Sequence, residues 1–97
     1  MWFDIVYGVE GINRFTDTIL ADDLEDAFNQ AQVFAYEEYE KIAGTIDGYP
    51  SFRDFWQTKT ADNMIDAYEN NRIEYDQLWA QYMVLMHSKT IACAYNV

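Results

Sequence analysis

One cysteine, one proline, four glycines, one histidine and six basic residues are what this 97-residue chain has least of. With Cys93 alone there is no internal disulfide, so the cross-linked frameworks that hold many small secreted domains together are excluded, and a reducing compartment is expected. A single proline and four glycines leave no Pro-rich or Gly-rich linker, and no internal repeat or low-complexity tract is visible. The longest apolar stretches, Tyr82 to Met86 and Ile91 to Tyr95, are too short to span a bilayer. The opening Met1-Trp2-Phe3-Asp4 has neither a basic n-region nor a long apolar h-region, and a cytoplasmic location is the expectation. Six Lys and Arg against seventeen Asp and Glu give a formal charge of −11, which repels nucleic acid and anionic membranes and attracts basic surfaces. Direct nucleic-acid binding and membrane binding are therefore not expected.

Apolar material is plentiful. Hydrophobic residues make up 51% of the chain and aromatics 18%, far too much for a disordered acidic tail. A chain this short buries about 60–70% of the surface it exposes when unfolded, so residues 1–97 are expected to form a single domain around one core.

The pattern along the chain predicts an α+β fold. Trp2 to Val9 is β-branched and aromatic, and Glu10-Gly11-Ile12-Asn13 separates it from a second such run, Arg14 to Leu20, which together read as a β-hairpin. Strand alternation puts Phe3, Ile5 and Tyr7 on one face, and Phe15 and Ile19 on one face of the second strand with Asp17 between them. Asp22 followed by Glu25 reads as a capping-box start, supported by Asp23 and Asp26 where the helix dipole favours negative charge. Leu24, Ala27, Phe28, Ala31, Ala35, Tyr39 and Ile42 then form a helical stripe that Gly44 terminates. Gly44 to Pro50 has turn composition, Ser51 is placed to cap a short helix through Gln57, and helical spacing resumes from about Ala61. Asn70-Asn71 leaves two alternatives there, one long helix or two. Thr90 to Val97 alternates and is β-prone, which predicts a third strand of an antiparallel sheet, with helices on one face.

Two features attract a functional reading. The first is acidity on helical faces: in the first helix and its cap Asp22, Asp23, Glu25, Asp26, Glu37, Glu38 and Glu40 precede that helix's first base, Lys41, and Asp62, Asp66, Glu69 and Asp76 stay near one face if the second helix runs unbroken. Such a face can imitate nucleic-acid phosphates and occupy a basic groove, or it can simply be solvated. A charge of −11 exceeds the magnitude of about 2–8 that suffices for solubility in a small domain, an excess that invites a functional explanation without requiring one. The candidate acidic contacts are Asp23, Asp26, Glu37, Glu40, Asp62, Asp66 and Glu69. The second feature is a surplus of aromatics, with Tyr49, Phe52 and Trp56 the candidates for exposed rings that stack on arginine of a partner.

Signals for catalysis are weak. His87 sits at a helix end beside Ser88, where a cation complements the dipole, and its spacing to Cys93 matches no zinc pattern and supplies no third group to orient a Cys-His pair. Glu37 and Glu40 lie in no Asp-x-Asp-x-Asp-Gly loop, and neither a P-loop nor Gly-x-Gly-x-x-Gly is present. No metal, no cofactor and no enzymatic activity are therefore expected. In charge and size the chain resembles the small viral and mobile-element inhibitors that mimic DNA or disable restriction and CRISPR nucleases, a likeness of composition that carries no motif and transfers no residue. It implies a protein partner with a basic surface, such as a nucleic-acid enzyme. The alternative is a structural or accessory module that self-associates or docks through Trp56, Trp79, Met83 and Met86, with the acids serving solubility.

Overall fold

A computed structural model describes residues 1–96. Strand β1 (Trp2–Val9) and strand β2 (Asn13–Leu20) form the hairpin, and β3 (Thr90–Asn96) pairs antiparallel with the other side of β1, giving the order β2-β1-β3. Val97, the end of the expected third strand, lies outside the described residues. At the hairpin tip the Ile12 N–H donates to the Val9 carbonyl, and Gly11 takes φ +80°, the left-handed conformation that a type II turn demands at its third residue. The Asn13 side chain accepts from the Val9 N–H at 2.8 Å and closes the turn.

Helix α1 (Leu24–Ile42) lies on one face of this sheet. Its buried positions Ala27, Ala31 and Ala35 are small, so the helix sits close over Phe3 and Ile5, both at or below 1% exposed. Tyr39 continues the stripe one turn further on. Leu24 and Phe28, expected on the same stripe, are 46% and 38% exposed, because Ala27 and Ala31 already fill the space against the strands. The N-cap also differs from expectation by one residue. Asp23, not Asp22, caps the helix by accepting from the Asp26 N–H, and the Asp26 carboxylate accepts from the Asp22 N–H.

Helices α2 (Phe52–Lys59), α3 (Met64–Asn70) and α4 (Arg72–Ser88) form a second layer that packs around α4. Ser51 and Asp54 make a full capping box for α2. Asn71 separates the last two helices: its backbone N–H bonds back to Ala67 as the C-cap of α3, while its side chain accepts from the Glu74 N–H as the N-cap of α4. The second helix is thus two helices, and the acidic stripe from Asp62 to Asp76 that required continuity is broken, with Asp62 outside any helix.

The two layers meet at Pro50. Tyr39 of α1 and Tyr82 of α4 both donate to its carbonyl, at 2.9 and 3.1 Å. Around them Val9, Phe55, Trp56, Leu78 and Met86 form the larger of two buried clusters. Burial raises both phenols above the ordinary tyrosine value, Tyr82 the more strongly. Two outcomes are expected. Tyr39→Phe or Tyr82→Phe alone lowers stability by about 0.5–1.5 kcal/mol, and the double variant costs more than the sum because Pro50 then has no phenol donor, as urea denaturation would show. Above pH ~10 the unfolded chain ionises these phenols while the folded chain holds them neutral, so stability falls as pH rises past ~10, and Tyr82→Phe flattens that fall.

Candidate functional site

None of the seventeen acids is buried, and among the described residues only two ion pairs form, Lys41–Glu38 at 2.7 Å and Arg72–Asp76 at 3.0 Å. Both join neighbours on one helix at the surface, where such pairs contribute little. The remaining carboxylates face water with their charge uncompensated at close range, over a molecule 49 × 27 × 16 Å in extent.

On α1, Asp26, Glu37 and Glu40 lie on the side away from Ala27, Ala31, Ala35 and Tyr39, as helical spacing predicts, while Asp23 caps the helix from just before its first turn. They do not form one stripe. Asp26 and Glu37 are eleven residues apart, about 16 Å along the axis, and exposed Val33 occupies the interval. Asp23 and Asp26 are moreover engaged as the helix cap, so part of their hydrogen-bonding capacity is taken up within the chain. Glu37 and Glu40 are exposed and enter no hydrogen bond or ion pair among the described residues.

The other acids gather at the α3–α4 junction. Asp62, Asp66 and Glu74 line a shallow depression of about 270 Å³ with Asn63, Asn70 and Asn71, and Glu69 is exposed on the same short helix. Glu74 was not among the acids expected here. The signal that finds it is Asn71-x-x-Glu74, a capping pattern, and Asn71 indeed donates to the Glu74 carboxylate at 3.0 Å. No group of three or more His, Cys, Asp or Glu among the described residues has the arrangement to hold a metal ion.

The aromatic expectations need correction. Trp56 is 2% exposed, with its indole N–H donating to the Asp62 carbonyl at 2.7 Å, so it is a core residue and cannot meet a partner. Phe52 is half-buried at the centre of a ring network, with centroids 5.0 to 6.1 Å from Trp56, Tyr75, Trp79 and Tyr82. Tyr49 is half-buried as well; its hydroxyl donates to the Glu10 carbonyl and its ring lies under the Lys89 ammonium, pinning the hairpin tip to the loop after α1. Trp79, 42% exposed, is the indole of this network that reaches solvent. Of the residues assigned to self-association, Met86 is buried and Met83 half-buried.

His87, in the last turn of α4, is held rather than free. Its Nδ1 lies 3.0 Å from the Tyr36 hydroxyl and 3.2 Å from the Gln32 amide. An amide nitrogen only donates, so Nδ1 accepts and the neutral ring carries its proton on Nε2. The histidine thereby ties α4 to α1.

No family model, curated protein or solved structure matches the chain.

Capping and charge can be separated at Asp23. Asp23→Ala removes both and is expected to lower stability by about 1 kcal/mol, whereas Asp23→Asn keeps the cap and changes stability by only a few tenths. A partner affinity that drops equally in both variants assigns the loss to charge; a drop in the alanine variant alone assigns it to the helix end.

Proposed function

We propose that the protein is a non-enzymatic acidic binding protein that inhibits a nucleic-acid enzyme by occupying its basic nucleic-acid-binding surface, of the kind viruses use in the host cytoplasm against restriction or CRISPR nucleases. The observation that carries this reading is the charge inventory in three dimensions: seventeen acids, six bases, none buried, and two surface ion pairs among the described residues. Unpaired carboxylates are the groups that make charge-assisted, bidentate hydrogen bonds to arginine, the same bonds a phosphate accepts. Their grouping at the α1 ends and at the α3–α4 junction presents separated acidic centres rather than one strip. In this reading Asp62, Asp66 and Glu69 supply one contact region and Glu37 and Glu40 another.

The partner is expected to be a protein that binds nucleic acid, with duplex or single-stranded nucleic acid competing for the same surface. Raising salt from 50 to 500 mM weakens the complex steeply, and the triple reversal Asp62→Lys, Asp66→Lys, Glu69→Lys weakens it by at least about tenfold at low salt. Capture followed by competition and calorimetry measures all three. A partner indifferent to nucleic acid, to salt and to charge reversal would refute the proposal.

A second reading is favoured by the sheet face opposite α1. There Trp2, Leu20 and Tyr95 are 59%, 62% and 54% exposed, and register puts them on one face with Val6, Ile91 and Cys93. The charged side chains of that face are Asp4 and Arg14, one of each sign, so it is a surface on which two copies of this acidic chain can approach without strong repulsion. Sedimentation equilibrium decides: a dimer abolished by Trp2→Ser supports self-association through this face, and a monomer at ~100 µM removes it.

A further inference from the structure

Between α1, α2 and α4 lies a cleft of about 350 Å³, at the small end of the range for ligand sites and sized for one side chain. Tyr36, Phe52, Trp79, Tyr82 and Met83 line it, with Glu40 as its acid. The polar atoms of this lining are spent unequally. The Tyr36 hydroxyl is bonded to His87 and the Tyr82 hydroxyl to the Pro50 carbonyl, so neither phenol is free to serve as the principal polar contact. The Glu40 carboxylate has no hydrogen-bond or ion-pair partner among the described residues. An aromatic wall with one unspent carboxylate selects a cation that can lie flat: the rings attract it through their quadrupoles, and the carboxylate accepts its N–H groups in pairs.

We infer that this cleft receives an arginine side chain of the protein partner, with the guanidinium stacked among Phe52, Trp79 and Tyr36 and hydrogen-bonded to Glu40. The inference rests on the acidic-binder reading and deepens it by naming the chemistry of one contact. Two further observations support it. The chain already stacks its own cations on its own rings: Arg72 lies 4.2 Å from the Tyr68 ring centre, Lys59 5.3 Å from that of Phe55 and Lys89 5.2 Å from that of Tyr49, whereas no cation of the described residues lies over Phe52, Trp79, Tyr82 or Tyr36. The negative charges of Glu40 and Asp54 also act at the Tyr82 phenol and help to raise it, so the potential in the cleft favours a cation and opposes an anion. Arginine is preferred over lysine because its planar group stacks and is more weakly hydrated, which lowers the cost of entering a largely apolar cleft.

The test uses the full chain, labelled with ¹⁵N, titrated at low salt with a blocked Gly-Arg-Gly tripeptide, with its citrulline counterpart of equal shape and no charge, and with agmatine, a free guanidinium of similar length. Saturable shifts centred on Tyr36, the Trp79 indole and Met83, with a dissociation constant of about millimolar order, are expected for the arginine peptide. The citrulline peptide should produce none, and Glu40→Gln, at an exposed position that does not threaten folding, should weaken the arginine response about tenfold. Shifts that centre instead on Asp62 to Glu69, an equal response to citrulline, or indifference to Glu40→Gln would overturn the inference. Agmatine binding tighter than the peptide would also overturn it, since the occupant would then be a free small cation. None of these failures touches the salt and competition behaviour on which the broader reading stands, so the two fail separately.

Discussion

The carbonyl of Pro50 is the acceptor on which the two layers of the molecule converge. Tyr39 reaches it from the helix that lies on the sheet, and Tyr82 reaches it from the helix that organises the C-terminal half. Proline suits the position: its ring fixes φ near −65°, which gives the loop between α1 and α2 a defined exit. The bond pair also sets how close α4 comes to α1, since each phenol spans from its own helix to one shared point. The ring network that begins at Phe52, two residues on, and the contact of His87 with Tyr36 both depend on that spacing. Even the hairpin is tied in, through the Tyr49 hydroxyl on Glu10 and the Glu10 N–H on the Lys89 carbonyl.

This arrangement also explains why so acidic a chain holds together. Burial of Trp56, Tyr39, Phe3, Ile5 and Val9 supplies an apolar term, at about 25 cal/mol per Å² buried, that repulsion among surface carboxylates must not exceed. The acids are positioned to keep that repulsion small. Several are placed at helix N-termini, where the dipole favours them: Asp23 and Asp26 on α1, Asp54 on α2, Asp66 on α3 and Glu74 on α4. Acid placement is therefore partly structural, and a carboxylate engaged in a cap holds its helix end whether or not anything else binds there.

Much of the architecture was legible in the residues because it follows from short-range rules. The hairpin, its alternating faces, the stop after Ile42 and the third strand all come from patterns a few residues long, and the α+β arrangement with an antiparallel three-stranded sheet is what the structure has. What was not legible depended on distance in space. The surplus of aromatics makes Trp56 a candidate surface anchor on sequence, yet the turn at Asp62 folds back and gives its indole N–H an acceptor. Leu24 and Phe28 fit the helical period, but the space against the strands is filled by Ala27 and Ala31 and both stay exposed. Asn70-Asn71 leaves one helix or two open on sequence, and a shared acidic face depends on the unbroken alternative; in space Asn71 closes α3 and opens α4, so that face does not form.

The same geometry changes what an acidic surface means in this chain. A continuous strip of carboxylates would resemble a phosphate backbone in spacing as well as sign. Here Asp26 and Glu37 are separated by Val33, and Asp62 and Asp66 belong to a different helix junction from Glu40. Charge of this kind steers a basic partner over long range without fixing its register. Register requires contacts that are short, directional and few, and the proposed occupant of the aromatic cleft beside Glu40 would make such contacts: the cleft has rings, one carboxylate and room for one side chain. On the proposed function, long-range attraction and short-range selection fall to different parts of the molecule, the first to dispersed acids that tolerate substitution singly, the second to a group of residues whose spacing is set by the Pro50 junction.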